Sequence, residues 1–527
     1  MKLNYRRTIF VGFAFFLICA FWQAYDNIIA LTLTNKFGMP QAYSGIIMAF
    51  DNILALFMLP LFGALSDKCR SKMGKRTPFI VIGTILAAAA FVALSFVDNM
   101  QLTNIADVSQ IDSVSSLETL YEYDYGDVEL KTTDGKVYRV TDFEKDTFLS
   151  IRTDTKWDLD GKDVTNDETH QGKTISPYSE YVFPARQAYA WHATLNSPNT
   201  LIFFVGLLLI VLIAMSIFRS PAVALMPDVT PKPLRSKGNA IINLMGSAGG
   251  VIVLVLGMVI GTSKATNGLM SYTVFFSIVA ALMIVSLIIF LLTVKENRFV
   301  KDMEEESKRF AINESDDNDS GDRKLSRGEI ASLLLILASV ALWYIGYNAI
   351  TSKFSVYASN VLQQDFNSTM IIAQAAAIVS YLPVGMLSSK LGRKKCILAG
   401  VLILGIAFGS AYFVGPGTPA LLMNILFALA GIGWATINVN SFPMVVELAK
   451  GGNVGKYTGY YYTASMAAQV LTPFLSGVFM DNIGLTTLFP YATIFVAGSF
   501  ITMLFVKHGD SIAAPKKELL ENFDIED

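Results

Sequence analysis

Charge is scarce in this 527-residue chain, and so are cysteine and histidine. Only 16% of the residues are charged and 53% are hydrophobic, whereas soluble proteins have about 25% charged residues. Three cysteines are too few for a disulfide framework. No complete phosphate loop of the Gly-x4-Gly-Lys-Ser/Thr type occurs, so the sequence does not support ATP-driven transport. The composition excludes a soluble enzyme and a nucleic-acid-binding protein.

Long uncharged runs take the place of the missing charges. Stretches without Asp, Glu, Lys or Arg cover 77–97, 238–263, 265–294, 330–352, 366–389, 396–446, 457–480 and 482–506. An α-helix needs roughly 20 residues to cross about 30 Å of hydrocarbon. We therefore predict an all-α integral membrane protein with twelve spans, near 8–33, 42–66, 77–97, 199–220, 238–262, 271–293, 329–352, 367–388, 396–414, 419–442, 457–480 and 487–507. The run 396–446 is predicted to form two helices, separated by a turn at 415–419.

The distribution of basic residues predicts the orientation of these spans. If the N-terminus is cytoplasmic, the basic clusters 68–76, 232–237 and 390–395 all lie in cytoplasmic loops. The short outer loops then hold only Lys36, Lys264 and Lys353. This asymmetry follows the positive-inside rule. We predict a multi-pass protein of the cell membrane with both termini cytoplasmic and the first hydrophobic segment retained as a span.

Two hydrophilic segments interrupt the spans. Residues 98–198 hold 19 acidic and 9 basic residues and are predicted to form an extracytoplasmic insertion domain. Within it, alternating residues around Asp134-Gly135 predict a β-hairpin. Residues 295–328 are predicted to be a cytoplasmic linker, and 508–527 a cytoplasmic tail. The N-terminal half is thus 1–97 (helices 1–3) with 199–294 (helices 4–6), and the C-terminal half is 329–507 (helices 7–12).

The two six-helix halves repeat a loop motif. The first copy contains Gly63, Asp67, Gly74, Lys75 and Arg76, and the second contains Gly385, Gly392 and Arg393, with Ser389 in place of Asp67. Asp228 and Glu447 lie at corresponding ends of spans 4 and 10. Corresponding motifs in two halves are typical of duplicated transporter folds with a central site between the halves. We predict that these residues form a gating motif, the alternative being that the basic residues only set topology.

At these residues the sequence resembles the major facilitator superfamily. The loop motif is lengthened as in its cation–sugar symporters, and residues 66–80 and 220–228 resemble the corresponding segments of sucrose transporters. The resemblance extends to the glycoside–pentoside–hexuronide branch. It implies the major facilitator fold of two pseudo-symmetric halves and alternating access to a sugar or glycoside. Ala55 and Leu59 stand where melibiose-type members carry cation-binding acids, which argues against a sodium site of that type.

Charged residues at membrane depth are candidates for ion coupling. Asp26 and Asp51 fall inside predicted spans, and Arg219 falls at the end of span 4. A charge within a membrane is costly and marks a functional site by default. One acid could bind a proton while the other accepts sugar hydroxyls. Alternatively, each carboxylate could hydrogen-bond to neighbouring helices or snorkel to the outer interface, and Arg219 could either snorkel or pair with a carboxylate during transport. No predicted span contains a histidine, so carboxylates are the expected proton carriers.

Candidate sugar-binding residues combine aromatic rings with amides and a carboxylate, because a pyranose has apolar faces and a polar rim. They are Trp22, Gln23, Asp26, Asn27, Asn243, Trp343, Tyr347, Asn348, Trp434, Asn438 and Gln469. Tryptophan and tyrosine also form interfacial belts and pack between helices. The sequence therefore leaves a packing role open for each of the aromatic residues.

Together these patterns predict a secondary active transporter that is not an enzyme. The predicted activity is proton-coupled symport of a sugar or glycoside, with Na⁺ as the alternative coupling ion. We expect no cofactor and no metal site, and we expect a monomer in the lipid bilayer. The alternatives are a facilitator or exporter of another small solute, and a membrane sensor that binds its ligand through residues 98–198.

Overall fold

Twelve long helices dominate the structure, a computed structural model that describes residues 3–158, 174–231, 234–309, 325–448 and 454–508. Eleven helices within these residues are long and apolar enough to cross a membrane. The helix Phe366–Leu391, with 26 residues, lies between two of them in sequence and completes the set. A helix of that length spans about 39 Å, more than the hydrocarbon core requires. The predicted all-α membrane fold is confirmed.

The membrane helices divide into two sets of six. The N-terminal half contains α1 (Tyr5–Ala24), α2 (Gln41–Lys68), α3 (Thr77–Asn104), α7 (Asn199–Val229), α8 (Arg235–Ile260) and α9 (Thr273–Thr293). The C-terminal half contains α11 (Arg327–Tyr357), α12 (Phe366–Leu391), α13 (Arg393–Ala411), α14 (Ala420–Glu447), α15 (Val454–Asn482) and α16 (Leu488–Leu504). The uncharged run 396–446 forms parts of two helices, α13 and α14, as predicted.

The packing of the first half recurs in the second. In each half the first membrane helix packs against the fifth and sixth, the second against the fourth, and the third against the fourth and sixth. The halves meet through α2 with α15 and through α8 with α12, which are the second and fifth helices of each half. This repetition defines a pseudo-two-fold relationship between two similar bundles. It places any cavity between the halves near the centre of the molecule.

Glycines allow the two halves to approach closely where α2 meets α15. A β-carbon added to Gly45 would overlap the backbone carbonyl of Pro473. One added to Gly477 would overlap the carbonyl oxygen of Gln41. Small residues at a helix crossing permit backbone contact, which is how helices pack in membranes.

The first helix of each half continues beyond its α-helical part. Helix α1 runs on through π-helical turns at Tyr25–Ile29 and Thr32–Lys36, and α11 runs on through Ala358–Leu362. Lys36 and Lys353 were expected in short outer loops, but Lys36 lies fully buried in the second π-helical turn and Lys353 lies fully buried within α11. Each has compensating partners: Lys36 pairs with Asp98 at 2.5 Å, and Lys353 donates to Ser44 Oγ at 2.8 Å. Because each ammonium group has hydrogen-bond partners, these lysines do not end the helices as the sequence pattern suggested.

The insertion between α3 and α7 is a small folded unit. It contains α4 (Val114–Glu122), α5 (Lys145–Ser150) and α6 (Phe183–Asn196), with strands β1 (Leu130–Lys131), β2 (Val137–Tyr138), β3 (Trp157–Asp158) and β4 (Thr174–Ile175). Strands β1 and β2 pair antiparallel around Asp134-Gly135, which confirms the predicted hairpin. Strands β3 and β4 form a second pair. A separate apolar core that includes Leu117, Phe148 and Tyr181 holds the unit together.

A further helix, α10 (Glu296–Arg309), follows the N-terminal half within the segment predicted as a linker. Its first residue, Glu296, is only 2% exposed. Hereafter, the terminal face is the side on which α1 begins and α16 ends, and the insertion face is the opposite side. Helix α10 lies at the terminal face, where Arg7 near the start of α1 donates to Phe299 O at 2.9 Å.

Candidate functional site

A cavity lies between the two halves. It has two adjoining compartments, an insertion-side compartment of about 310 Å³ and a terminal-side compartment of about 560 Å³. The residues that line both are Gln23, Asp26, Ser247, Gln374, Ile378 and Tyr381. The first three come from the N-terminal half and the other three from α12. Compartments of a few hundred cubic ångströms are typical of small-molecule sites.

Aromatic residues form one wall of the insertion-side compartment. The rings of Tyr347 and Trp434 are stacked, with centroids 3.6 Å apart and planes 3° from parallel. Tyr344 meets Trp434 edge to face at 5.2 Å. Asn438, one helical turn beyond Trp434, lines the same compartment. A flat apolar surface beside an amide can contact both the face and the rim of a sugar ring.

Two amides bridge the halves in the middle of the cavity. Gln374 Nε2 of α12 donates to Gln23 Oε1 of α1 at 2.6 Å. A β-carbon on Gly250 of α8 would come within 3.4 Å of Gln23 Oε1 and 3.6 Å of Gln374 Oε1. The two amides therefore pack against the backbone of α8 at a glycine. Gln374 and Tyr381 were not among the site residues predicted from the sequence. An amide in the middle of span 8 is the same signal that selected Gln23 in span 1.

Asp26 lies at a break in regular helix geometry. It is the second residue of the π-helical turn Tyr25–Ile29, and it lines both compartments. π-Helical turns are frequent at functional sites because they expose backbone groups and redirect side chains. Here the turn aims a carboxylate at the space between the halves.

Asp51 and Arg219 lie close enough to Asp26 to interact with it electrostatically. Asp51 is not among the lining residues of the two compartments, and it accepts hydrogen bonds from the backbone and side-chain nitrogens of Asn52 at 2.5 and 2.7 Å. Arg219 lines the terminal-side compartment and lies 5.5 Å from the ring centroid of Trp22. The structure thus brings together the three charged residues that the sequence singled out.

The candidate sugar-binding residues separate into two groups. Those that line the cavity are Trp22, Gln23, Asp26, Asn243, Tyr347, Trp434 and Asn438. Asn27, Trp343, Asn348 and Gln469 are not among the lining residues of either compartment. Trp343 is fully buried in the apolar core, and Asn27 is 3% exposed and donates to Gln23 O at 2.8 Å. The sequence could not separate these residues because neighbouring positions of one helix face different surroundings.

The first copy of the loop motif is an ion-pair network centred on Arg76. Its Nε donates to Asp228 at 2.8 Å, and its Nη2 pairs with Asp67 at 2.5 Å. Burial disfavours the charge of Arg76, but the hydrogen bonds and charges of Asp228 and Asp67 outweigh that effect and raise its pKa. Gly63 O and Ser66 Oγ accept further hydrogen bonds from the same guanidinium. The network ties the ends of α2 and α7 to the start of α3.

Glu296 of α10 is a further partner of this loop, and the sequence pattern did not predict it. Its carboxylate accepts hydrogen bonds from the backbone nitrogens of Lys75, Arg76 and Thr77 at 2.6 to 3.1 Å, and from Thr77 Oγ1 at 2.7 Å. These nitrogens are the unpaired donors at the start of α3, where a negative charge is favourable. Gly74, with φ +118°, leaves room for the carboxylate, which a β-carbon would overlap.

The second copy of the motif has a different construction. Gly385 lies in α12, Gly392 adopts φ +87° between α12 and α13, and Arg393 begins α13. Lys394 donates to the carbonyl oxygens of Leu504 and Val506 at 2.9 and 2.6 Å, which ties α13 to the end of α16. Glu447 ends α14, and its side chain and that of Ser389 lie outside the described residues.

Polar contacts between the halves close the cavity at the insertion face. Asp481 at the end of α15 accepts hydrogen bonds from the backbone nitrogens of Gln41 and Ala42, each at 2.7 Å, at the start of α2. Lys353 of α11 donates to Gln41 O at 2.8 Å. Additional bridges are Asn360 Nδ2 to Asn35 Oδ1 at 2.9 Å and Ser263 Oγ to Asp365 Oδ1 at 2.5 Å.

The terminal-side compartment, by contrast, extends towards the terminal face. Its lining includes Val223 near the end of α7, Asn239 near the start of α8, Phe442 near the end of α14 and Thr458 near the start of α15. All four positions lie at the terminal-face ends of their helices. A cavity closed at one face and extended towards the other, between two similar bundles, is the architecture of a secondary transporter.

Comparison with known proteins agrees with this class. The Major Facilitator Superfamily profile matches residues 187–374 and 363–522, and the profile described as MFS/sugar transport protein matches residues 10–109. The chain belongs to the Major Facilitator Superfamily and is a multi-pass membrane protein.

Individual relatives match over shorter stretches. A sucrose transport protein of Arabidopsis thaliana is 41% identical over 51 residues, which is 10% of each chain. The human proton-associated sugar transporter A is 31% identical over 96 residues, 18% of this chain and 12% of its own. The chain therefore spans about a tenth of the length of these two relatives. A crystal structure of a D-xylose–proton symporter is similar in fold, with a TM-score of 0.56 and 13% identity over 96% of this chain and 99% of its own.

Proposed function

We propose that this protein is a secondary active transporter that moves a sugar or glycoside together with a proton. The observation that carries the proposal is the composition of the central cavity. One wall is the stacked pair of Tyr347 and Trp434, an inter-half amide bridge crosses it, and the carboxylate of Asp26 faces both compartments. Aromatic faces, amides and a carboxylate are the groups that recognise a sugar ring.

The charged residues in and near the cavity favour a proton as the coupling ion. Asp26 lies within electrostatic reach of a second carboxylate, Asp51, and of Arg219. A carboxylate in this position can bind a proton in one state of the transporter and, after releasing it, interact with Arg219 in the other state. The human relative is a proton-associated sugar transporter, and the structural neighbour is a D-xylose–proton symporter. Na⁺ is the alternative ion that the experiment separates from H⁺.

Alternating access supplies the mechanism. The cavity is closed at the insertion face by contacts between the halves and extends towards the terminal face. Rocking of one bundle against the other would separate the insertion-face contacts and close the terminal side around the same site. With the basic loops in the cytoplasm, we propose that the described state faces the cytoplasm of a cell-membrane protein that works as a monomer.

The test is uptake by the purified protein in liposomes, with a panel of mono- and disaccharides. The pH gradient and the sodium gradient are imposed separately. We expect accumulation of at least one sugar driven by an inward proton gradient and unaffected by sodium. Accumulation driven only by sodium would overturn the choice of ion, and the absence of flux for every sugar would overturn the substrate class.

A further inference from the structure

The insertion contacts the C-terminal half at the edge of the closed insertion face. Thr486, in the turn between α15 and α16, donates its backbone nitrogen to Thr133 O of the β1–β2 turn at 3.0 Å. In the adjacent strand, Lys131 Nζ donates to Asp481 O at 3.3 Å. Gly135, with φ +90°, packs so closely that a β-carbon would overlap Ile483 O. Leu485 packs against the apolar core of the insertion.

The hairpin turn is held firmly within the insertion. The Glu180 carboxylate accepts hydrogen bonds from Thr133 N at 2.8 Å and from Thr133 Oγ1 at 2.5 Å. Thr133 is 3% exposed and Glu180 is 5% exposed. Buried charge-assisted hydrogen bonds of this kind are among the stronger polar contacts in proteins. The turn therefore moves with the body of the insertion.

The insertion is also attached to the N-terminal half. Thr194 Oγ1 of α6 donates to Phe37 O at 2.9 Å, just after the last turn of the first membrane helix. Gln101 of α3 donates to Thr194 Oγ1 at 2.9 Å, and Gln187 donates to Met39 O at 3.2 Å. The insertion is therefore anchored to the N-terminal half, and it reaches the C-terminal half through its hairpin and through Tyr178–Val182, which contacts Ala358–Leu362.

The same corner of the C-terminal half takes part in closing the cavity. Asp481, whose carbonyl receives Lys131, holds the start of α2 through its carboxylate. Separation of α2 from α15 would move residues 481–486 away from the hairpin. The contact with the insertion can therefore persist only while the insertion face is closed.

We propose that the contact between residues 131–135 of the β1–β2 hairpin and residues 481–486 acts as a latch. The latch stabilises the state that is closed at the insertion face, and it must release in each transport cycle. The proposal rests on the alternating-access function proposed above. It assigns the insertion a part in setting the balance between the two states, rather than a role as a separate ligand-binding domain.

A reversible cross-link tests whether the latch must open. In a protein with C19S, C69S and C396A, the pair T133C/T486C joins the two sides of the latch across an existing backbone hydrogen bond. The control pair D158C/T174C joins β3 to β4 within the insertion, where these residues are cross-strand partners. We expect oxidation to stop sugar uptake by T133C/T486C, with recovery after reduction, and to leave D158C/T174C active. Normal uptake by fully cross-linked T133C/T486C would overturn the proposal.

A glycine substitution provides a test that does not depend on the cargo. G135A places a methyl group against Ile483, whereas G126A introduces an alanine at φ +57° with nothing within 4 Å. Both variants carry T351C in the same cysteine-free background, because Thr351 lines the insertion-side compartment. We expect a membrane-impermeant maleimide added from the insertion side to label G135A about fivefold faster than G126A, the shift expected from losing one hydrogen-bonded contact.

Equal labelling rates for G135A and G126A would overturn the latch even if the cysteine pair failed to fold. If the two glycine variants are labelled at the same rate and the parent protein takes up sugar normally, the latch fails and the proposed function stands. If G135A is labelled faster but no sugar is transported by the parent protein, the latch stands and the proposed cargo fails.

Discussion

Gln374 of α12 donates its side-chain amide to Gln23 of α1 over 2.6 Å, which places one hydrogen bond between the two halves at the centre of the cavity. Both side chains line both compartments. Each amide retains other hydrogen-bonding positions that a polar solute can occupy. A solute that bonded to these amides would therefore act on a contact between the two halves.

This relationship predicts that the two glutamines act as a unit. Q23A and Q374A should each weaken sugar binding, and the double variant should be less impaired than the sum of the single effects by about 1 kcal/mol. Equilibrium binding of the best transported sugar measures this coupling. Q469A is the control, because Gln469 of α15 is not among the lining residues of either compartment. Strictly additive losses would show that the bridge plays no part in the site.

The stacked aromatic pair predicts a loss of affinity when it is broken. W434A should raise the KM for sugar about fivefold, because an aromatic contact is worth about 1 kcal/mol, and W434F should have a smaller effect. W343F is the matched control on α11, four residues before Tyr347. Trp343 is fully buried, and its Nε1 has no hydrogen-bond partner in the described part of the chain. An unchanged KM for W434A would remove the aromatic wall from the site.

Substitution of Asp26 should abolish proton coupling without abolishing sugar transport. D26N keeps the size of the side chain, but an amide cannot bind and release the coupling proton. Sugar accumulation driven by a proton gradient should therefore disappear, whereas sugar exchange across membranes without a gradient should continue. Both are measured as uptake of labelled sugar into proteoliposomes. D127N, at an exposed acid of the insertion, should retain both activities. Intact accumulation by D26N would move the proton to another group.

Glu296 should stabilise the loop between α2 and α3. E296Q weakens hydrogen bonds that a carboxylate accepts at the start of α3, which should cost about 2 kcal/mol of stability. The measurement is thermal unfolding of the purified protein. E304Q changes an exposed acid on the same helix and should unfold at the parent temperature. A parent-like unfolding temperature for E296Q would mean that the contact contributes little.

Much of the fold is predictable because membrane helices lack charge over long runs. The spans, the division of 396–446 into two helices and the Asp134-Gly135 hairpin all follow from local pattern. Lys36 and Lys353 were placed wrongly, because the sequence does not reveal that Asp98 pairs with Lys36 or that Gln41 accepts a hydrogen bond from Lys353. Charge pattern alone therefore ends α11 before its true end at the π-helical turn.

The site was less predictable than the fold. Polar and aromatic residues inside spans selected Gln23, Asp26, Trp434 and Asn438, which line the cavity, but the same signal also selected Trp343, which is buried in the core. Whether a residue lines the cavity or lies in the core depends on the direction its side chain faces. That direction depends on the rotation of the helix, which packing across the bundle determines. No sequence pattern marked Glu296 as a partner of the loop, because it bonds to backbone nitrogens more than two hundred residues away.

Proton movement caused by sugar alone tests the account most directly. Proteoliposomes containing the parent protein are given a sugar gradient with no imposed ion gradient, and the external pH is recorded with D26N as the comparison. We predict that inward sugar flux makes the weakly buffered medium more alkaline for the parent protein and not for D26N. Sugar flux through the parent protein without any change in pH would contradict proton-coupled symport.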